Sequence, residues 1–140
     1  SACNKQPWRF VIVKNAELRS RICAEGLLPG IPMPWLKQAP VIAALCSEKS
    51  LVTHTLAPLV SGIHYELIDL GIAGEHFVLQ AQELGLGTCW IGWFKEKPVR
   101  KILSLPSSYR IASLISLGYP AEEPRFSERL PLEKIMITYP

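Results

Sequence analysis

Residues 88–94, with the sequence TCWIGWF, combine side chains that suit the binding of a flat aromatic ligand. The stretch holds two tryptophans, a cysteine and a glycine within seven positions. Tryptophan offers a flat apolar wall, and a glycine without a Cβ lets backbone N–H groups come close to a ring. The alternative is an ordinary buried strand with bulky side chains, and the seven residues by themselves favour that alternative.

The cysteines and histidines show no catalytic or metal-binding spacing. No two cysteines form a C-x-x-C pair, and no cysteine and histidine match a zinc motif. We therefore expect four reduced thiols, and we assign no histidine to catalysis. The cysteines are Cys3, Cys23, Cys46 and Cys89, and the histidines are His54, His64 and His76. His76 lies within an apolar helical segment, where we expect a partly buried imidazole.

Composition predicts one globular domain over residues 1–140 and argues against several classes of partner. Hydrophobic residues make up 49% of the chain and charged residues 19%, a balance that favours a core over disorder. A net charge of +3, without a cluster of five Lys or Arg, gives no reason to expect nucleic acid. No apolar run reaches the roughly 18 residues of a membrane span, and no signal-peptide pattern opens the chain. Together with reduced thiols, this predicts a cytoplasmic protein.

The hydrophobic pattern predicts strands that alternate with helices, as in a layered sheet with helices on its faces. Strands are expected at residues 8–13, 40–46, 88–94 and 109–117. The apolar run 40–46 has the character of a central strand, buried on both faces. Helices are expected from the N-cap Asn15 to about residue 24, at 65–84, at 95–103, and as a short turn within 130–136. The proline-rich loop 27–37 is long enough for a lid or a substrate wall, and residues 47–63 show no clear pattern.

The predicted helix 65–84 is apolar around most of its circumference, so we expect it to be buried on most sides. In a domain of this size, part of that surface is available for a second subunit. Gly71, Ala73 and Gly74 would allow another helix to approach closely.

Three separated segments resemble the nitroreductase family. Residues 1–10, SACNKQPWRF, resemble its S-x-x-N-x-Q-P-W-x-F segment, and residues 69–92 resemble its central helix and flavin-facing loop. Residues 116–120 and 129–133 resemble its last strand and C-terminal arm. The resemblance implies an α+β fold, with a mixed, mostly antiparallel sheet flanked by helices in a three-layer α/β/α arrangement. It also implies a homodimer with FMN at the subunit interface.

The resemblance implies roles for individual residues. One subunit would line the flavin ring with Ser1, Ala2 and Asn4. The other subunit would face the ring with Trp90, Ile91, Gly92 and Trp93. Arg129 would hold the phosphate. The backbone N–H at or near Gly92 would point at flavin N5. Gly92 as a strand bulge and Arg129 as a solvated charge are the alternatives.

Two departures from the family pattern bear on the phosphate and the N1/O2 edge of the flavin. The family usually begins with a helix that carries an arginine-rich segment, and no such segment precedes Ser1. We therefore expect that residues belonging before Ser1, including that helix, are missing from this numbering. The basic residue common two positions before the arm arginine is replaced by Ser127. The roles of two further residues stay open. Gln6 either binds ligand or holds the backbone of its loop, and Lys37 is either solvated or near the flavin.

The resemblance predicts an FMN-dependent oxidoreductase with ping-pong chemistry. NADH or NADPH would pass hydride to flavin N5, and a nitroaromatic, a quinone or a similar acceptor would then take it from the same pocket. No acid or base side chain is demanded, which agrees with the lack of a triad or carboxylate pair in the sequence. The alternatives are a flavin-binding protein without turnover, acting as a sensor or store, a relative with another flavin-dependent reductive task, and a structural module without cofactor.

Overall fold

The middle layer of the fold is a four-stranded sheet in which every described pairing is antiparallel. The computed structural model describes residues 1–48, 57–123 and 126–139. The strands are β1 (Trp8–Val13), β2 (Val41–Glu48), β3 (Gly87–Ile91) and β4 (Tyr109–Gly118), and their order is β1-β2-β4-β3. The helices are α1 (Ala16–Arg21), α2 (Ala57–Ser61), α3 (Tyr65–Glu83), α4 (Glu96–Ile102) and α5 (Leu132–Ile135). A π-helical turn, Ile22–Gly26, extends α1, and 3-10 turns lie at Ala2–Asn4 and Pro34–Gln38.

The predicted central strand is confirmed. Strand β2 pairs with β1 on one side and with β4 on the other, so that Ala44 lies opposite both Val11 and Leu114. Its residues 42–46 are at most 1% exposed, as expected of an apolar run covered on both faces. Strand β3 lies at the edge, with Ile91 opposite Leu114. This places the end of the candidate ligand-binding stretch at the border of the sheet.

Helices cover the two faces of the sheet, which makes the three layers. Successive side chains of a strand point to opposite faces. One face joins the π turn and α4 in the main core, which includes Ile22, Ile42, Ala44, Ile91, Val99, Ile102 and Leu114. The opposite face packs on α3, where Phe10 of β1 stacks on Phe77 with ring centroids 5.2 Å apart. The predicted α+β class, with a mostly antiparallel sheet between helical layers, is confirmed.

Helix starts and ends follow local signals in the sequence. The Asn15 side chain accepts a hydrogen bond from the Leu18 backbone N–H at 2.9 Å, so the predicted N-cap is confirmed. The other predicted helices are present within one or two residues, at Tyr65–Glu83, Glu96–Ile102 and Leu132–Ile135. In the segment without a clear pattern, α2 is described, whereas residues 49–56, which include His54, lie outside the described residues.

The expectation that helix 65–84 is buried on most sides is wrong for the single chain. Five residues of α3 are buried: Glu66, Asp69, Leu70, Gly74 and Ala81. The face turned away from the sheet keeps its apolar side chains in solvent, with Ile68, Ile72 and Leu79 more than half exposed. Because α3 packs on one face of the four-stranded sheet, the sheet covers only one side of the helix. His76 is exposed rather than partly buried.

Candidate functional site

The N-terminal segment 1–6 forms a tight turn with unusual backbone angles. Cys3, Asn4 and Gln6 have φ values of 51°, 52° and 48°, in the left-handed region that residues other than glycine seldom adopt. The Gln6 backbone N–H donates to Ser1 Oγ at 3.0 Å, which closes the turn. The Ala2 backbone N–H donates to both carboxylate oxygens of Asp69 in α3, at 3.1 Å each.

The Gln6 side chain has the structural role that the sequence left open. Its amide Nε2 donates to Asn4 Oδ1 at 2.9 Å and lies 3.4 Å from the Asn4 carbonyl oxygen. These contacts hold the Asn4 side chain in one orientation at the protein surface. Within the described part of the chain, the Asn4 Nδ2 group has no hydrogen-bond partner, so its two donors are available to a ligand.

The residues at the end of β3 point in different directions. The Ile91 side chain is 3% exposed and belongs to the main core, so only its backbone can reach a ligand. The Trp90 indole packs on α3 at Gly74 and is still 40% exposed. Gly92 follows the strand, and among the described residues other than its two neighbours no atom lies within 4 Å of where a Cβ would stand on it. Beyond it, Trp93 is 46% exposed.

Trp93 also ties down the proline-rich loop. Its indole Nε1 donates to the Pro29 carbonyl oxygen at 2.8 Å, and its own carbonyl accepts from the Leu28 backbone N–H at 3.3 Å. The Lys95 backbone N–H donates to the Gly26 carbonyl oxygen at 2.7 Å, next to a bridge between Leu27 and Phe94. Residues 26–29 are thus held against the segment that follows β3. Lys37, near the other end of the loop, is exposed.

Arg129 lies on an exposed C-terminal arm and makes local contacts. Its Nη1 donates to Ser127 Oγ at 2.7 Å and to the Ser127 carbonyl oxygen at 3.1 Å. The serine that replaces the family's second basic residue therefore orients the arginine that remains. Among the described residues, no contact joins Arg129 to the other predicted site residues.

Helix α3 connects the two halves of the predicted site. Asp69 contacts the N-terminal turn and Gly74 contacts the Trp90 indole, and their separation of five positions (74 − 69) corresponds to about 7.5 Å along the helix axis. A cavity of about 350 Å³ beside the N-terminal turn takes residues from one half only, since none of Trp90–Trp93 lines it. It is lined by Ser1, Trp8, Phe10, Asp69, Ile72, Ala73 and His76.

Three of the four thiols, those of Cys23, Cys46 and Cys89, are not activated, although Cys89 is an exposed residue. Burial raises the pKa of Cys46 to about 11, and burial also raises the pKa of Cys23 and of Cys89. These three thiols are protonated at neutral pH, the opposite of what a nucleophilic cysteine requires. The Cys89 Sγ contacts the Trp90 carbonyl oxygen at 3.6 Å. All four cysteines are free.

Asp69 and Gly74 were not identified from the sequence as residues that support the site. The available signal for Asp69 is a single carboxylate within the otherwise apolar stretch 67–73, because a buried charge needs a partner. Gly74 was interpreted as a contact for another helix. Instead, a Cβ at this position would stand 2.2 Å from Trp90 Cη2 and 2.8 Å from Leu45 Cδ2, so the missing side chain makes room for the sheet.

The fold and these sites define the class of protein: the chain belongs to the nitroreductase family, whose model matches residues 1–119. A Methanothermobacter thermautotrophicus protein, provisionally named NADH dehydrogenase/NAD(P)H nitroreductase, is 33% identical over 128 residues, covering 89% of this chain. The FMN reductase [NAD(P)H] of Bacillus subtilis is 29% identical, covering 96% of this chain. The chain spans 61% and 57% of the length of these two relatives.

A solved structure supports the same assignment. The FMN-dependent nitroreductase of Clostridium difficile R20291 has a TM-score of 0.73 and 25% sequence identity, over 99% of this chain and 78% of that one. Within the described residues, no helix is both long and apolar enough to cross a membrane.

Proposed function

We propose that this protein is an FMN-dependent oxidoreductase that uses NADH or NADPH to reduce a nitroaromatic, a quinone or a similar acceptor. The observation that carries the proposal is the open backbone at Gly92, which lies between two half-exposed tryptophans at the end of an edge strand. Family membership supports it, as do the relatives whose names include FMN and NAD(P)H.

Each of the two groups of residues would form one half of a flavin site. The space at Gly92 lets the ring approach the backbone, where a peptide N–H would donate to N5. Trp90 would supply part of the wall, and the Nδ2 donors of Asn4 suit a polar ring edge. Arg129, a planar fork of donors, suits the phosphate. When bound, FMN would supply the hydride chemistry, with N5 taking hydride from the nicotinamide and returning it to the acceptor.

The complete site requires a second copy of the chain. The cavity beside the N-terminal turn is lined by Ser1 and by none of Trp90–Trp93, so the proposed site takes one group from each subunit. The apolar outer face of α3 favours this arrangement, with Ile68, Ile72 and Leu79 at 51%, 54% and 57% exposed. Apolar side chains grouped on an exposed helix face typically mark an interface. The homodimer therefore belongs to the proposal.

The visible spectrum of the purified full-length protein tests the function. We expect bound FMN, bleaching by NADH or NADPH without oxygen, and recovery of the oxidised spectrum on addition of a nitroaromatic or a quinone. A protein that takes up no FMN would contradict the flavin proposal. FMN that neither nucleotide bleaches would instead favour a store or sensor, and recovery with a halogenated aromatic alone would favour a different reductive task.

A further inference from the structure

We propose that Asp69 is a positioning residue that holds the turn 1–6 in the shape needed to line the cofactor. The inference rests on the proposed function, because it assumes that Ser1, Ala2 and Asn4 contact FMN. It goes further by assigning the geometry of that turn to one buried carboxylate in α3, 67 residues away along the chain.

The contact between the turn and the helix is specific. The Ala2 backbone N–H lies 3.1 Å from Asp69 Oδ1 and 3.1 Å from Asp69 Oδ2, so both oxygens share one donor. Asp69 is 6% exposed, and it lies on a 19-residue helix that is packed on the sheet. Hydrogen bonds to an ionised group are stronger than those between neutral groups, and a buried carboxylate is costly without them. The carboxylate and the turn therefore depend on each other.

The turn needs such an anchor because its backbone is strained. Cys3, Asn4 and Gln6 all have left-handed φ values near 50°. Non-glycine residues keep these conformations only when their surroundings hold them. Arg9 Nη1 of β1 donates an exposed hydrogen bond to the Gln6 carbonyl oxygen, and the Ser1 nitrogen also lies 4.0 Å from Asp69 Oδ1. The hydrogen bonds from Gln6 to Ser1 and to Asn4 are exposed and lie within the turn itself. Contacts of that kind fix the internal shape of the turn, whereas the Asp69 contact fixes where the turn lies on the protein.

A structural role in α3 alone is the competing explanation for Asp69, and Glu66 provides the matched control. Glu66 is one turn earlier in the same helix and is 4% exposed. Its Oε1 lies 3.3 Å from His64 Nδ1 and 3.6 Å from Arg110 Nη1, and Glu66 has no described contact with the turn. Removing either buried carboxylate perturbs the helix, but only Asp69 holds the turn.

The experiment compares Asp69→Ala, Asp69→Asn and Glu66→Gln in the full-length protein. Amide hydrogen exchange of residues 1–6 is measured without FMN, and the FMN dissociation constant and the melting temperature are measured for each variant. For Asp69→Ala we expect exchange of the Ala2 amide to rise, and FMN binding to weaken, each by about ten-fold or more, as for a lost hydrogen bond to a charged group. Asp69→Asn keeps one acceptor oxygen, so we expect it to recover most of the affinity.

Three results would overturn the proposal. Unchanged exchange of the Ala2 amide in Asp69→Ala would show that Asp69 does not hold the turn. Faster exchange of the Ala2 amide with unchanged FMN affinity in Asp69→Ala would show that Asp69 holds the turn but that this does not affect FMN binding. A loss of FMN affinity in Glu66→Gln as large as that in Asp69→Ala would show a general effect of disturbing α3. If the wild-type protein binds no FMN, the proposed function itself has failed, and the exchange data still report separately whether Asp69 holds the turn.

Discussion

Gly74→Ala should destabilise the protein, although alanine is the better helix former. A Cβ at this position would lie 2.2 Å from Trp90 Cη2, 2.8 Å from Leu45 Cδ2 and 3.0 Å from Trp90 Cζ2. Ordinary contact begins near 3.4 Å, so the edge of the indole would have to retreat by about 1.2 Å (3.4 − 2.2). Leu45 is 1% exposed in the central strand and has little room to move.

The expected magnitude follows from two opposing terms. Overpacking of this kind costs about 3 kcal/mol, at the upper end of the usual range, because the indole is rigid and the leucine is buried. Replacing glycine by alanine in a helix returns about 1 kcal/mol. The free energy of unfolding should therefore fall by about 2 kcal/mol, which corresponds to a decrease in melting temperature of roughly 8 °C for a domain of this size.

Gly71→Ala is the matched control on the same helix. No atom of the described residues lies within 4 Å of its Cβ position, apart from its two neighbours and the helix backbone, so this variant should gain up to about 1 kcal/mol from helix propensity alone. Urea unfolding followed by circular dichroism measures both variants. Equal stability of the two variants, or a more stable Gly74→Ala, would refute the argument that the helix approaches the sheet through Gly74. Because Trp90 must move, the tryptophan emission of Gly74→Ala should also change.

Four further changes test other parts of the structure and the proposal. Arg129→Ala should weaken FMN binding by about ten-fold or more, as expected for a lost charged contact to phosphate, measured by fluorescence titration. Trp93→Phe removes the hydrogen bond to Pro29 and should cost about 1 kcal/mol, with faster amide exchange in loop 27–33. Ile72→Glu places a charge on the apolar outer face of α3 and should shift a dimer to monomer in sedimentation experiments. Burial raises the pKa of Cys46 from 9.0 to about 11, so the unfolded chain loses the thiol proton at a lower pH than the folded chain. The free energy of unfolding should therefore fall as the pH rises from 9 towards 11. Cys46→Ala should remove this contribution to the pH dependence, measured by urea unfolding.

The changes at Arg129, Trp93 and Ile72 each have a control on the same chain. Arg21→Ala removes an exposed arginine that pairs with Glu25 and should leave FMN affinity unchanged. Trp35→Phe alters another half-exposed tryptophan and should leave exchange in loop 27–33 as it is. Ile31→Glu alters an isoleucine as exposed as Ile72, 53% against 54%, but away from α3, and should leave the oligomeric state unchanged. If a control matches its test variant, the residue-specific explanation is wrong.

The strands, the helices and their ends could be predicted from the sequence because their signals are local. The apolar run at 40–46 is enough to make a buried strand, and the Asn15 side chain reaches its own helix three residues later. The family was recognised in the same way, from short motifs such as the NKQPW of residues 4–8. Periodicity also indicated that α3 is apolar all round, but it could not say which side the sheet would cover.

Only the tertiary structure decided which distant residues meet. The Ala2 amide meets Asp69 across 67 positions, and Trp93 meets the Pro29 carbonyl across 64. Neither contact leaves a pattern in the sequence, because hydrogen bonds between distant segments depend on how the layers pack. The same packing turned Gly74 towards Trp90, left the outer face of α3 and His76 in solvent, and put the Ile91 side chain in the core. Residue types set the chemistry that is available to residues 88–94, and the position of β3 at the sheet edge, against α3, decides which of those groups a ligand can reach.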